Sequence, residues 1–457
     1  MAPPMTRQGP VLIVLAVGLL LRLAVWGFGL SDPERFLTPD SASYIGLASG
    51  ILDSGMYGSE GQPEIFRAPG YPFFLSVVFV ISRAPGLVVF FQVLLDGAVC
   101  WLVWRLARQS LGEGPAVAAL AFQCVSVVSI VYACRVLSDT LFTFLFVLFL
   151  NSLWVSCQRE GTPRFRGGAL CGVLLAGMTY VRAVALPFGV LPVGLLLWRR
   201  RFRAALACAG TAALLLLPWY VRNGVRAGYP HFSSVGAILL YQCNAAMVLS
   251  KIECRPFAAV QEDIIADLSR YPTEQAQARH AMKQGRKIIL QHPFIYTWAH
   301  LKTVPTNLLP ATGELFQTLG AEIGGSGTLA IIRSRGILEG VRHYFRGRWG
   351  WFAAAVPFLA LLGISYLLAL VGFVGRAWAP SARPFFVFLG MTGAYFLLVP
   401  GGAAHPRYAV PAMPIISLCA GWGAWWLGTV IGWVNVKSRT TDEGTELPSS
   451  GSHSCGP

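Results

Sequence analysis

Charged residues are scarce in this chain: they make up 12% of its 457 residues, whereas apolar residues make up 55%. Soluble proteins carry roughly twice that share of charge, because polar groups must cover their surface. The mean hydropathy of +0.57 agrees with this imbalance. The composition therefore excludes a soluble globular enzyme and predicts a polytopic membrane protein.

Paired cysteines are missing as well. The ten cysteines include no CxxC motif, and most of them lie inside apolar runs. This pattern argues against a zinc site or a disulfide scaffold and indicates buried thiols that act as small apolar side chains. Cys243 and Cys254 would pair only if their segment faced an oxidising compartment.

Acidic residues are few: 21 Asp and Glu stand against 36 Lys and Arg, which gives a net charge of +15. The basic residues form small clusters between apolar runs, and they do not form one patch with interleaved aromatic residues. No nucleic-acid partner is expected from this arrangement. Membrane lipids are the expected surroundings.

About ten apolar runs are long enough to cross a bilayer, whose hydrocarbon core requires about 20 residues of helix. These runs lie at residues 10–30, 86–107, 115–134, 139–157, 167–183, 184–198, 204–221, 351–375, 384–400 and 409–435. We therefore expect an all-α membrane bundle. Two connecting segments, 31–85 and 223–350, are too long to be simple linkers.

The positions of Lys and Arg in the short loops predict the orientation, since cytoplasmic loops carry more of them. With the N-terminus inside, the cytoplasmic segments hold fourteen basic residues, including Arg7, Arg159, Lys437 and Arg439. The opposite short loops hold only Arg35, Arg67, Arg83, Arg135, Arg182, Arg222 and Arg407. Both termini are therefore predicted to be cytoplasmic, and both long segments extracytoplasmic.

This topology divides the chain into four parts. Residues 1–222 form an N-terminal membrane module with the outer loop 31–85, and residues 223–350 form an extracytoplasmic region. Residues 351–437 contain the C-terminal transmembrane helices, and residues 438–457 form a disordered cytoplasmic tail rich in Gly, Ser and Thr.

Two helices of the first outer loop are expected to lie in the membrane interface. Residues 71–82 are apolar, but as a helix they would rise only about 18 Å, which is too short to cross. A second helix is predicted from Ser41 to Gly55, and Asp40 can act as its N-terminal cap.

Several motifs follow one another at the predicted outer boundary. They are Asp40 to Tyr44, Arg67-Ala68-Pro69-Gly70-Tyr71-Pro72, Tyr132 with Ser138-Asp139-Thr140, Tyr180-Val181-Arg182, Pro218-Trp219-Tyr220-Val221-Arg222-Asn223 and His405-Pro406-Arg407-Tyr408. As an ordered set, these motifs resemble those of the GT-C glycosyltransferases. Within that superfamily they are most similar to the bacterial branch related to the protein O-mannosyltransferases and the lipid A aminoarabinose transferase.

The resemblance implies a GT-C-like bundle that moves a sugar from a polyprenyl phosphate to a glycan or lipid acceptor. It places the reaction, an inverting transfer, on the extracytoplasmic face of a bacterial inner membrane, with the lipid-linked sugar as co-substrate. The chain reads Pro39-Asp40-Ser41 where protein O-mannosyltransferases have paired acids. A protein acceptor is therefore not supported.

Two carboxylates match the acids of this family. Asp40 occupies the place of the acid in the first outer loop, and a carboxylate there can accept the proton of an attacking hydroxyl. Asp139 matches a second acid, which would orient the acceptor or hold a divalent metal. The need for a metal is left open by the sequence.

Arginines at the same boundary suit the departing phosphate, because a guanidinium donates two parallel hydrogen bonds to phosphate oxygens. We favour Arg67 and Arg407, which lie in Pro-containing turns, over Arg182 and Arg222. The remaining candidates for substrate binding are Tyr44, Tyr71 and His405. Arg22, inside the first run, is instead expected to face a partner within the bundle.

Two other functions compete with glycosyl transfer. A transporter or flippase is the default for a chain of apolar helices, but such proteins often show repeated halves and acids at the midplane. Here the halves do not repeat and the acids lie at one boundary. A noncatalytic scaffold that binds lipid-linked sugars is the second alternative.

Overall fold

The structure is a computed structural model that describes residues 9–59, 61–158, 164–321, 323–324 and 328–432. The expected disordered tail, 438–457, lies outside the described residues. So do four of the basic residues used for the orientation, namely Arg7, Arg159, Lys437 and Arg439.

The N-terminal half is almost entirely helical. Its helices are α1 (Gly9–Gly29), α2 (Pro39–Ser54), α3 (Gly70–Phe79), α4 (Pro85–Leu111), α5 (Glu113–Cys124), α6 (Val127–Ala133), α7 (Asp139–Gln158), α8 (Arg164–Val181), α9 (Ala185–Phe188), α10 (Val190–Trp198) and α11 (Phe202–Ala227). A short 3-10 turn, Pro33–Phe36, precedes α2. Strands β1 (Gly58–Ser59) and β2 (Gln62–Pro63) form an antiparallel hairpin in the first loop.

The second half contains the long connecting region and the last membrane helices. Its helices are α12 (Val235–Leu239), the π-helix Leu240–Ala245, α13 (Ala246–Ile252), α14 (Phe257–Ser269), α15 (Glu274–Gln291), α16 (Pro293–Asn307), α17 (Thr312–Thr318), α18 (Thr328–Arg335), α19 (Ile337–Tyr344), α20 (Trp349–Trp378), α21 (Arg383–Leu398), the 3-10 helices Gly401–Ala403 and Pro406–Ala412, and α22 (Met413–Val430).

Each of the ten predicted runs contains helix, but not each is one long span. Among the described residues, seven helices are long and apolar enough to cross a membrane, and an eighth span results if α5 and α6 are joined. These two helices, predicted as one run, bend by 51° at their junction. The run 184–198 is likewise divided into α9 and α10.

One apolar helix was not expected. Residues Val235–Ile252 are long and apolar enough to cross a membrane, although the sequence analysis assigned them to the extracytoplasmic region. In contrast, α14 and α15 of the same region are not apolar enough to cross a membrane. Cys243 and Cys254, which would pair only under oxidising conditions, are free thiols in this structure.

The helix predicted after Asp40 exists, but its cap is a different residue. Helix α2 begins at Pro39, and Thr38 and Ser41 form a reciprocal capping box around its first turn. Asp40 is thus free to point elsewhere, and the prediction of Asp40 as the cap was wrong. The helix ends at Gly55, whose φ of 67° is the left-handed conformation that glycine adopts readily.

Close helix packing holds the bundle together. Helix α20 packs along α22, and α8 along α11. A side chain added at Gly372 or Gly423 would collide with the backbone carbonyl of Cys419 or Leu368 on the facing helix. Since lipid tails remove the hydrophobic drive for helix association, such close contact between small residues is a main source of attraction.

Arg22 is fully buried in α1, as the sequence analysis expected of a charge inside a span. Its Nε lies 2.6 Å from Asp96 Oδ2 on α4, and its Nη1 donates to the carbonyl oxygens of Gly18 and Cys124. The pair therefore ties α1 to α4 and α5, and each charge compensates the other away from water.

We expect Arg22→Met or Asp96→Leu alone to lower the free energy of unfolding by about 3–5 kcal/mol, because each leaves one charge buried and unpaired. The double variant should recover much of this loss. Thermal unfolding of the full chain in detergent measures the effect. Single variants that unfold at the temperature of the parent would show that the pair contributes nothing to stability.

Candidate active site

A cavity of about 1300 Å³ opens between the membrane helices and the connecting region. Part of its wall is apolar and includes Val184, Pro187, Leu239, Phe396 and Val399. The charged residues of the wall are Asp40, Arg67, Arg182, Arg279, Lys283, Arg286 and Arg407. Among the described lining residues, Asp40 thus carries the sole carboxylate, so the cavity attracts anions.

Five of the predicted site residues form one continuous ion-pair chain, in the order Arg67, Asp40, Arg407, Asp139 and Arg182. Asp40 Oδ1 lies 2.6 Å from Arg67 Nη2, and its Oδ2 lies 2.5 Å from Arg407 Nη1. Arg407 Nε lies 2.7 Å from Asp139 Oδ2, and Asp139 Oδ1 pairs with Arg182. Three cations and two anions leave this ion-pair chain with an excess positive charge.

Five separate segments bring these residues together, and Arg67 comes from the loop between β2 and α3. Asp40 and Asp139 both lie in the first turn of a helix, α2 and α7, where the helix dipole favours a negative charge. Arg182 directly follows α8, and Arg407 lies in the 3-10 helix that leads into α22. The site is therefore assembled from residues 367 positions apart in sequence.

The arginines determine the charge state of Asp40. Burial raises the pKa of this carboxyl, but the guanidiniums of Arg407 and Arg67 outweigh that effect and lower the pKa from 3.8 to about 2. Asp40 is therefore ionised at every physiological pH. While both of its oxygens accept hydrogen bonds from arginine, however, it is a weak proton acceptor.

Asp139 is placed differently from what its predicted catalytic role requires. Its side chain is 0% exposed and does not line the cavity, and both of its oxygens accept hydrogen bonds from arginine. Asp139 thus holds Arg182 and Arg407 from behind. The guanidiniums of Arg182 and Arg407 therefore lie between Asp139 and the cavity.

Arg67 is held by residues that the sequence analysis did not single out. Glu64 Oε1 accepts hydrogen bonds from the backbone N–H groups of Phe66 and Arg67, at 2.6 and 2.7 Å. The hydroxyl of Tyr57 donates to the carbonyl oxygen of Arg67 at 2.9 Å. The sequence did contain a sign of this support, because Glu64 is a carboxylate three residues before Arg67 in a Pro-containing loop.

The two candidate tyrosines have different positions. Tyr44 lines the cavity, where Arg67 lies 4.7 Å above its ring and donates to its hydroxyl at 3.3 Å. Tyr71 is fully buried behind it, in edge-to-face contact with the Tyr44 ring, and donates to Gln92 Oε1 at 2.6 Å. The structure thus gives Tyr71 a place in the core and not on the cavity wall.

Arg222 and His405 also lie outside the cavity wall. Arg222 donates to the carbonyl oxygens of Glu64 and Tyr57, at 2.6 and 2.7 Å, and so fixes the hairpin that leads to Arg67. His405 caps the 3-10 helix that carries Arg407, because its Nδ1 accepts from the Arg407 N–H at 3.3 Å. Both are arranged to position arginines of the ion-pair chain.

Glu314 is a third acid near the site that the sequence analysis missed. Its Oε2 accepts from the hydroxyl of Tyr132 at 2.9 Å, and its Oε1 lies 3.5 Å from His405 Nε2. Glu314 thereby connects α17 to the segment that caps Arg407. Nothing in its local sequence distinguishes it from an ordinary surface acid, since its neighbours come from distant parts of the chain.

A second group of basic residues reaches the cavity from α15. Arg279, Lys283 and Arg286, here called the α15 row, all line the cavity. Their spacings of four and three residues place them on one face of the helix. A row of charges at this spacing on an amphipathic helix is usually a solvated face, so the sequence alone does not predict that these side chains line a cavity.

Glu274, at the start of α15, titrates in an unusual range. Burial is the main cause that raises its pKa from 4.5 to about 7, and the nearby carboxylate of Glu64 adds to the shift. The hydroxyl of Ser234 donates to its Oε1 at 2.7 Å and opposes the shift. Glu274 thus joins α15 to the start of α12 and titrates near neutral pH.

The raised pKa predicts a pH-dependent stability. Between about pH 4.5 and 7 the folded chain keeps a proton on Glu274 that the unfolded chain releases, so the free energy of unfolding falls as the pH rises. We expect Glu274→Gln to stabilise the chain relative to the parent by about 1–3 kcal/mol more at pH 8 than at pH 5.

Thermal unfolding at the two pH values measures this difference. Glu262→Gln on α14 is the matched control, since Glu262 is exposed, and it should unfold like the parent at both. An equal effect of Glu274→Gln at pH 5 and pH 8 would contradict the raised pKa.

The residues at the site do not fit a divalent metal. Each oxygen of Asp40 and Asp139 accepts a hydrogen bond from a guanidinium, so the surroundings of both carboxylates are already positive. Among the described residues, no group of three or more His, Cys, Asp or Glu side chains is arranged to hold a metal ion. The steps proposed below therefore involve none.

Comparison with solved structures identifies the fold. The oligosaccharyltransferase AglB of Archaeoglobus fulgidus, with an inhibitory peptide and a dolichol-phosphate, aligns over 93% of this chain and 52% of its own, with a TM-score of 0.52 and 13% identity. An oligosaccharyltransferase of the same organism in its apo form aligns over 94% of this chain and 52% of its own, with a TM-score of 0.55 and 10% identity. This chain thus spans about half the length of AglB.

ArnT of Cupriavidus metallidurans, bound to undecaprenyl phosphate, aligns over 92% of this chain and 78% of its own. The TM-score is 0.44 and the identity 16%, so the fold assignment rests on AglB. No protein-family model and no curated protein matches the chain. The chain shares the fold of the aligned half of AglB, an all-α membrane bundle, which confirms the fold class predicted from the sequence.

Proposed function

We propose that the chain is an inverting membrane glycosyltransferase that moves a hexose or pentose from a polyprenyl phosphate to a glycan or lipid acceptor. The observation that carries this proposal is the ion-pair chain in the wall of a cavity that is otherwise partly apolar. A lipid phosphate has the matching shape and chemistry, a charged head on an apolar tail. The dolichol-phosphate in the AglB structure supports the same class of donor.

The donor phosphate binds to the guanidiniums of Arg67, Arg407 and Arg182. These three line the cavity, whereas Arg222 does not, so the proposal adds Arg182 to the pair favoured by the sequence and drops Arg222. Phosphate and Asp40 compete for the same donors. As the phosphate accepts hydrogen bonds from Arg67 and Arg407, Asp40 loses the contacts that lower its pKa, and its basicity rises.

Donor binding thus prepares the base for the chemical step. The acceptor hydroxyl attacks the anomeric carbon from the face opposite the phosphate, and its proton passes to the Asp40 carboxylate. The bond between the anomeric carbon and the phosphate oxygen breaks, and its electron pair stays on the phosphate. The arginines stabilise the charge that develops there, which is the larger part of the expected catalysis.

The proposal is tested with the purified full chain in lipid vesicles, a set of radiolabelled undecaprenyl-phosphate hexoses and pentoses, and a bacterial envelope extract that supplies acceptors. We expect label to enter the glycan or lipid fraction from at least one donor. If the chain binds undecaprenyl phosphate but transfers no label from any donor, it is a lipid-binding scaffold and the proposal fails.

A further inference from the structure

The α15 row differs from the ion-pair chain in its charge balance. Asp40 and Asp139 neutralise most of the charge of Arg67, Arg182 and Arg407. In the part of the chain that the structure describes, the side chains of Lys283 and Arg286 have no ion-pair or hydrogen-bond partner. The side chain of Arg279 donates only to the carbonyl oxygen of Gly228, at 2.6 Å. The row therefore presents uncompensated positive charge to the cavity.

Uncompensated like charges on one helix face repel one another, and this repulsion is relieved when an anion binds between them. A phosphate group suits three such side chains, because it carries up to two negative charges and offers several acceptor oxygens. The ion-pair chain already accounts for the single phosphate of the donor. The α15 row is therefore available to a second anionic group.

The position of the row indicates which substrate carries that group. Helix α15 belongs to the connecting region 223–350 and reaches the cavity together with α12, whereas the ion-pair chain is built on the membrane helices and the first loop. Since the donor occupies the apolar wall with its lipid tail and the ion-pair chain with its phosphate, the basic face of α15 is left to contact the acceptor.

We propose that the α15 row binds a phosphate group of the acceptor, so that the acceptor is a phosphate-bearing glycan or lipid. During transfer the cavity then holds two phosphates, that of the donor at the ion-pair chain and that of the acceptor at the α15 row. This inference rests on the proposed glycosyl transfer. Leu290, at the end of the same helix, is 73% exposed and lines the cavity, so a membrane headgroup is the competing source of phosphate.

Binding of a soluble phosphate probe tests the inference without knowledge of the natural acceptor. The full chain is placed in phosphatidylcholine nanodiscs, saturated with undecaprenyl phosphate and titrated with glucose 6-phosphate, with glucose as the unphosphorylated control. We expect glucose 6-phosphate alone to bind. The double variant Lys283→Gln/Arg286→Gln should weaken this binding by about tenfold or more, because two charge-assisted hydrogen bonds are lost.

Lys287→Gln is the matched control, since Lys287 is an exposed residue of α15 that does not line the cavity, and it should bind like the parent. The inference is overturned if the double variant binds the probe like the parent, or if undecaprenyl phosphate displaces the probe. Loss of probe binding in phosphatidylglycerol nanodiscs would assign the row to lipid headgroups and overturn the acceptor assignment.

The two proposals fail in different ways in this experiment. If undecaprenyl phosphate does not bind but the probe still requires the α15 row, the donor assignment fails and the phosphate site on α15 stands. If undecaprenyl phosphate binds but the probe does not, the donor assignment stands and the α15 inference fails.

Discussion

Asp40→Asn is expected to reduce sugar transfer by about 10²–10⁴-fold and to leave the chain folded. The change removes the proton acceptor, which contributes about this much to a reaction, and hardly alters the volume of the side chain. The remaining amide oxygen still accepts one hydrogen bond from Arg67 or Arg407. The loss should therefore appear in kcat, measured as transfer from a radiolabelled undecaprenyl-phosphate sugar.

The same variant distinguishes a base from a residue that only binds the donor. Without the Asp40 charge, Arg67 and Arg407 are freed for the donor phosphate, so undecaprenyl phosphate should bind as tightly as in the parent or more tightly. Asp53→Asn is the matched control: Asp53 lies on the same helix, its side chain is 57% exposed, and it pairs with Arg83. Full transfer activity in Asp40→Asn would remove Asp40 from the mechanism.

Arg407→Lys is expected to lower kcat/KM by about 10²-fold or more. Arg407 is the central member of the ion-pair chain, since it contacts both Asp40 and Asp139 through different nitrogens. Lysine has one ammonium group and cannot reproduce the planar fork of donors, so it cannot hold both aspartates and a phosphate. Loss of one such donor in other enzymes costs a comparable factor.

Steady-state transfer kinetics and binding of undecaprenyl phosphate measure the effect of Arg407→Lys. Binding should weaken, in contrast to Asp40→Asn, because the donor phosphate itself loses a partner. Arg83→Lys, in the loop between α3 and α4, is the matched control, since its exposed pair with Asp53 lies outside the cavity wall. Unchanged kinetics in Arg407→Lys would show that this guanidinium does not contact the phosphate.

The sequence was informative where chemistry restricts the choice of residue. Charges are so few that those at the predicted outer boundary could be named one by one. Asp40, Arg67, Arg182 and Arg407 indeed lie together. Arg22 was expected to have a partner inside the bundle, and the partner is Asp96. The inference for Arg22 follows from the cost of an isolated charge in a membrane. The site residues were selected from the motifs at the predicted outer boundary.

Other features depend on tertiary contacts that no local pattern contains. Asp139 is buried behind two arginines because α7, α8 and the Arg407 turn meet in the fold. These segments are far apart in the sequence, so no local pattern predicts that they meet. The break between α5 and α6 did leave a local signal, because Ser126 is a favourable N-cap and accepts from the Ser129 N–H in the structure. The α15 row was overlooked because its spacing equally suits a solvated face.

The central claim is that the phosphate of a polyprenyl phosphate binds at the ion-pair chain and frees Asp40. A cryo-electron microscopy structure of the full chain with undecaprenyl phosphate tests this most directly. The account predicts the phosphate within hydrogen-bond distance of Arg67 and Arg407, the isoprenoid along the apolar wall, and Asp40 separated from at least one of its two arginines. A phosphate bound away from the ion-pair chain, with both contacts of Asp40 intact, would contradict it.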